Sequence, residues 1–219
     1  MSGCVRVLGA LVLCAVVAPL GAQDKAGFKP LFNGKDLSGW MNRAGKEPGA
    51  GWKVENGVLT RKSRAGDIWT KERFGDFILD LEFKTKGNSG VFIRTDNPSN
   101  NVQTGIEIQV DNPGKPGKHS VGAIYDALAP AKNVARKNDW NHLVITARDN
   151  KIQVVMNGEP IIDMDLNQWS EAGKNPDGTR NKYRTALKDF KREGHIGFQD
   201  HGAEVSYRNV KIKRLSPGK

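Results

Sequence analysis

Residues 77–84 read Phe-Ile-Leu-Asp-Leu-Glu-Phe-Lys, with an apolar side chain at every second position. A strand repeats every two residues and a helix every 3.6. The run therefore predicts a strand with Phe77, Leu79, Leu81 and Phe83 on one face and Asp80, Glu82 and Lys84 toward water. The same alternation recurs in Gly105-Ile106-Glu107-Ile108-Gln109-Val110-Asp111, in Gly90-Val91-Phe92-Ile93-Arg94-Thr95 and in His195-Ile196-Gly197-Phe198-Gln199-Asp200-His201. Asn-Gly pairs at 56–57 and 157–158 are hairpin signals. They predict that 52–54 pairs with 57–60, and that the chain turns from 152–156 into 161–163. Residues 140–146 should pair with 152–156 around Asp149-Asn150. A single helical turn is expected at 185–189. Many short strands and frequent turns predict an all-β sandwich, with one sheet curved to present a polar face.

The first residues read differently. Arg6 precedes an apolar run over 7–20, broken by Pro19 and followed by the small residues Gly21-Ala22. This pattern predicts a signal peptide over 1–22, a secreted or periplasmic protein, and no stable membrane span after cleavage. One domain is expected over 23–219, long enough for a single core. Cys4 and Cys14 both fall in the leader, so the exported chain is expected to lack a disulfide, a thiol nucleophile and a thiolate metal site. The formal net charge is +10. The Lys and Arg residues are scattered, with no basic helix or recognisable nucleic-acid module, which argues against nucleic acid as a partner. Residues 25–41 should pack Phe28, Leu31, Phe32, Leu37 and Trp40 onto a sheet. The Pro- and Gly-rich stretch 112–119 reads as a loop. So does 169–193, whose length suggests a lid, a binding loop or a mobile segment.

If the alternating strands share a sheet, its polar face carries Glu107, Gln109, Asp111, Arg94, Gln199 and His201. A pair of glycosidase carboxylates stands about 5–9.5 Å apart. Glu107 and Asp111 are four residues apart on one strand, about 13 Å at 3.3 Å per residue, and Asp200 is out of phase. One well-placed acid suits proton abstraction beside a carbonyl, which needs a base and a donor for the developing oxyanion. Glu107, Arg94 and His201 are the catalytic candidates, with the roles of Glu107 and His201 exchangeable. A divalent metal on Glu107, Asp111 and His201 is a further option, without ligand spacing to support it. Plainer readings stand beside these: Glu107–Arg94 as a cross-strand ion pair, His201 as a turn residue, and Tyr125 and His142 as structural.

Several blocks carry a family resemblance. They are Phe28-Lys29-Pro30-Leu31-Phe32-Asn33-Gly34-Lys35-Asp36-Leu37-Ser38-Gly39-Trp40, Asn88 through Arg94, Gly105 through Asp111, Gly122-Ala123-Ile124-Tyr125, Trp140-Asn141, Gly194 through Gly202 and Tyr207 through Ile212. In this order they resemble the 3-keto-disaccharide hydrolase family, over roughly 27–215. Phe198 stands where a smaller aliphatic is expected. The resemblance implies a concanavalin A-like jelly-roll sandwich of two curved antiparallel sheets. It also implies cleavage of 3-keto-glycosides by a 1,2-lyase and 3-keto-2-hydroxyglucal hydratase route, with a sugar 3-dehydrogenase supplying the substrate. Arg94, Glu107, Gln109, Asp111, Tyr125, Gln199 and His201 lie in its blocks. Gln109, Asp111, Tyr125, Gln199 and Asn88 are the substrate-binding candidates. The rival expectations are a carbohydrate-binding module relying on exposed Trp40, Trp69 or Trp169, and a conventional glycosidase with a second carboxylate near Glu107.

Overall fold

The computed structural model describes residues 27–216; the signal peptide expected over 1–22, with Cys4 and Cys14, lies outside them. Among the described residues, the chain runs through strands β1 (Lys29–Pro30), β2 (Trp40–Asn42), β3 (Trp52–Glu55), β4 (Val58–Arg61), β5 (Ile68–Thr70), β6 (Phe77–Thr85) and β7 (Ser89–Thr95). A one-turn helix α1 (Asn101–Thr104) then leads into β8 (Ile106–Val110). There follow β9 (Asn141–Arg148), β10 (Lys151–Met156), β11 (Glu159–Asp165), β12 (His195–Phe198) and β13 (Val205–Arg214). They form two antiparallel sheets. The larger has the order β11-β10-β9-β6-β13-β4-β3, with β1 also paired to β13; the smaller has the order β2-β5-β12-β7-β8. No described helix is long and apolar enough to cross a membrane.

The period-two pattern explains how the sheets meet. Phe77, Leu79, Leu81 and Phe83 of β6 are fully buried, and they pack in one core with Val91 and Ile93, Ile106, Ile108 and Val110, and Ile196 and Phe198 of the smaller sheet. Burying each such side chain stabilises the fold by roughly 1.5–3 kcal/mol. Phe198 fills its place by stacking: its ring lies 5.0 Å from that of Trp40 and 3.9 Å from that of Tyr207. Phe32 and Trp40 are core residues. The Asn-Gly turns close as expected, with Asn56 at φ 51° and Gly57 at φ 77°, the left-handed pair that a two-residue hairpin needs.

One expectation needs correction. Asp80 does not meet water. It is 6% exposed, held by His142 Nε2 at 2.9 Å and Lys211 Nζ at 3.3 Å. These groups, with Glu82 and Asn209, line a cavity of about 650 Å³ on the outer face of the larger sheet. The helical turn expected at 185–189 is present as a 3-10 turn over Leu187–Asp189. Segment 169–193 is irregular but packed: Trp169, Tyr183, Leu187 and Phe190 join the core. Buried Asn175 ties it together, accepting from Trp169 Nε1 and Asn181 Nδ2 at 2.9 Å each.

Candidate active site

The face of the smaller sheet turned away from the core carries one continuous row. Register places Met41 of β2 beside Trp69 of β5, Trp69 beside Gly197 of β12, Gly197 beside Phe92 of β7, and Phe92 beside Glu107 of β8. Paired residues in antiparallel strands point to the same side, so these side chains share the face. A second row sets Gly90 beside Gln109, and Gln199 N donates to Gly90 O. The glycines make room. A Cβ on Gly197 would fall 2.3 Å from the Trp69 ring, so the indole lies over the backbone there. Trp69 and Phe92 pack at 5.4 Å.

β8 is an edge strand, and its free edge is closed by 122–125. Gly122 N donates to Gln109 O, Gln109 N to Ala123 O and Tyr125 N to Glu107 O, at 2.8–2.9 Å. Edge closure thus fixes Glu107 and brings Tyr125 beside it. Asn88, in the β6–β7 turn, accepts from Gln109 Nε2 at 3.0 Å.

Glu107 is the centre of the site. Its side chain is 5% exposed. Burial raises its pKa to about 7, with Asp67 adding to the rise; Lys182 and a hydrogen bond from the Gln199 side chain pull the other way. A carboxylic acid of that pKa exchanges protons near neutrality. Lys182 Nζ stands 3.9 Å from Glu107 Oε2 and 3.5 Å from the centre of the Tyr125 ring. The carbonyl oxygens of Gln109 and Gln199, Oε1 in each, are buried with no hydrogen-bond partner. A buried acceptor without a donor is costly, so these two are suited to hydroxyl donors of a polar ligand.

The structure sorts the sequence candidates. Glu107, Gln109, Gln199, Tyr125 and Asn88 gather. Asp111 follows the end of β8, half-buried, and caps the turn by accepting from Asn112 N. His201 is exposed in the turn after β12; burial raises the pKa of Asp67, and His201 is only a minor charge opposing that rise. Arg94 is elsewhere. It sits at a β-bulge with φ 50°, and its fully buried guanidinium is spent on Gly75 O, Asp149 O and Asp76 Oδ1 at 2.6–2.9 Å. The bulge breaks the alternation that would have put Arg94 beside Glu107. Among the described residues no three His, Cys, Asp or Glu side chains are placed to hold a metal ion. Glu107, Asp111 and His201 do not converge as ligands.

Two residues were missed. Asp67 precedes β5, its oxygens engaged by Asp200 N at 2.8 Å and Asn101 Nδ2 at 2.9 Å. Lys182 comes from the middle of 169–193. Trp40 and Trp69 are fully buried and Trp169 is 4% exposed, so the exposed tryptophan platform expected of a binding module is not formed by them.

A two-sheet β-sandwich with one buried, proton-exchanging acid and unpaired amide acceptors on a sheet face defines a polar-ligand site with acid–base capacity. The chain belongs to the 3-keto-alpha-glucoside-1,2-lyase-like domain family, whose model matches residues 27–213. It is 25% identical to a 3-keto-disaccharide hydrolase from Bacteroides thetaiotaomicron, over 88% of this chain and 80% of that protein. Two crystal structures from Parabacteroides distasonis described as putative glycosyl hydrolases are similar. One has 32% identity, a TM-score of 0.76, and 86% and 99% of the two chains covered. The other has 27% identity, a TM-score of 0.70, and 87% and 94% covered.

Proposed function

We propose that the protein is an exported enzyme cleaving 3-keto-glycosides, with Glu107 as the base, on a jelly-roll sandwich of the concanavalin A type. The single observation that carries this is the buried Glu107 carboxyl with its pKa near neutrality, in a chain of this family. A ketone at sugar C3 acidifies the C2 proton. Glu107 takes that proton, and the C2–H electrons form an enolate on the C3 oxygen. The enolate collapses back to the ketone, a C1=C2 bond forms, and the C1–O bond breaks. The departing alkoxide is protonated by water. Hydration returns hydroxide to C1 and the proton to C2, so the net reaction consumes one water and yields 3-keto sugar and alcohol. Glu107 rather than His201 is the base because it is buried beside the amide acceptors, whereas His201 is exposed. The Gln109 and Gln199 carbonyl oxygens receive sugar hydroxyls, with Asn88 orienting Gln109 and Tyr125 flanking the acid; Asp111 and His201 stand at the rim. An oxidation of the sugar C3 hydroxyl, as by a sugar 3-dehydrogenase, must supply the substrate, and the leader sequence supports export.

Product NMR in D₂O tests this with a 3-keto-glucoside and its unoxidised parent. Cleavage of the keto substrate alone, with deuterium at C2 of the product, is expected, and loss of both in Glu107→Gln. Cleavage without C2 deuterium would reject elimination. Sugar binding without cleavage would make the protein a binding module.

A further inference from the structure

The cation nearest the base comes from the irregular segment that carries no strand. We propose that Lys182 is a catalytic residue that holds the C3 oxygen of the substrate as it becomes an enolate, an assignment that rests on the 3-keto-glycoside reading. In such a sugar the proton is lost from C2 and the charge appears on the oxygen of the adjacent carbon. Base and oxyanion donor must therefore stand a few ångströms apart. The 3.9 Å between Lys182 Nζ and Glu107 Oε2 is longer than a hydrogen bond, so the ammonium stands beside the carboxylate without committing a donor to it. Charge is conserved around the ammonium. Before transfer it faces the Glu107 carboxylate; after transfer Glu107 is neutral and the enolate takes its place.

The backbone holds this lysine far more firmly than an ordinary loop residue. Lys182 N donates to Asp126 Oδ2 at 2.7 Å. The Gln103 side chain spans the next peptide, donating to Lys182 O at 3.0 Å and accepting from Arg184 N at 2.8 Å. Tyr183 Oη donates to Tyr125 O at 2.6 Å, and the Tyr125 ring supports the ammonium from below. Lys188 and Lys191 of the same segment are exposed, and Lys174 pairs with surface Glu171. The cation that the sequence offered for this role, Arg94, is committed elsewhere.

The test uses Lys182→Met and Lys182→Arg in the otherwise unaltered protein, with kcat and KM on a 3-keto-glucoside, C2 hydrogen exchange in D₂O, and the pH profile. Circular dichroism and melting confirm folding. Lys182→Met should lose about 100- to 1,000-fold in kcat, with a smaller change in KM. Its acid limb should move to higher pH, because Lys182 lowers the Glu107 pKa. Lys182→Arg should recover part of the rate. A Lys182→Met protein within about threefold of wild-type kcat, or impaired in KM alone, would overturn the assignment while leaving the reaction intact. Wild-type protein that leaves the 3-keto-glucoside uncleaved would overturn the reaction itself, and the assignment with it.

Discussion

The Glu107 carboxylate occupies the space that a side chain at Gly90 would fill: a Cβ there would stand 2.5 Å from Glu107 Oε1. The smallest residue in β7 thus sets where the acid lies. Gly90→Ala must push the whole Glu107 side chain aside, because Cγ at 2.9 Å and Cδ at 3.1 Å would crowd the new Cβ as well. A misplacement of about 1 Å costs on the order of 100-fold in rate. Kinetics on a 3-keto-glucoside alongside a melting curve would check this. A fast, stable Gly90→Ala enzyme would mean that the carboxylate position is not critical.

Gly197→Ala should act on stability instead. Its Cβ would stand 2.3 Å from the Trp69 ring, and a fully buried indole has nowhere to go. Overpacking of this kind costs about 1–3 kcal/mol. Chemical denaturation should therefore show a lowered midpoint with an unchanged slope.

If Glu107 acts as the proposed base it must be deprotonated to work, so activity should rise as pH passes through about 7, the pKa of Glu107. The charged groups that act on it are Lys182, which lowers that pKa, and Asp67, which raises it. Asp67→Asn removes one negative neighbour, and its acid limb should shift to lower pH. A limb that stays in place would show that Asp67 does not act on the base.

The same carboxyl should leave a mark on stability. Its pKa is raised from 4.5 to about 7 in the folded protein, so the folded state holds the proton more tightly than the unfolded one. The stability this confers is full below about pH 4.5 and is lost as pH rises through about 7. At 1.36 kcal/mol per unit the difference is roughly 3 kcal/mol. Glu107→Gln does not titrate, so its stability relative to wild type should increase by about that amount between pH 4 and pH 8. Paired urea titrations at the two pH values read the difference directly. A constant gap would mean that the carboxyl is not desolvated.

How far the sequence discloses this site follows from what alternation can encode. Glu107 and Gln109 were legible because β8 keeps its period over its whole length, and Gln199 because Ile196 and Phe198 hold β12 in phase. Arg94 was not, since a bulge inserts one residue and turns the side chain from the sheet face into the protein. Asp80 was misplaced for a different reason: period two gives the face but not whether neighbours on that face, here His142 and Lys211, cover it. Lys182 was invisible because it reaches the site from an irregular segment whose path depends on tertiary bonds through Asn175, Gln103 and Asp126.

Arg94 provides the sharpest contrast between the face expected and the face observed. Its guanidinium is wholly buried, with Asp76 Oδ1 at 2.8 Å and two backbone carbonyls as further acceptors. Burial lowers its pKa to about 10, so it stays charged at neutral pH and bridges β7 to Asp149 at the tip of the β9–β10 hairpin. Arg94→Met leaves Asp76 without its cation and two carbonyls without a donor, a loss of about 3–5 kcal/mol. At roughly 2–4 °C per kcal/mol for a domain of this size, the melting temperature should fall by on the order of 10 °C. The protein that remains folded should keep kcat within about threefold of wild type, because nothing near Glu107 has changed. Melting curves and kinetics measured well below the variant's transition separate the two effects. A variant that melts normally but has lost kcat would return Arg94 to the active site.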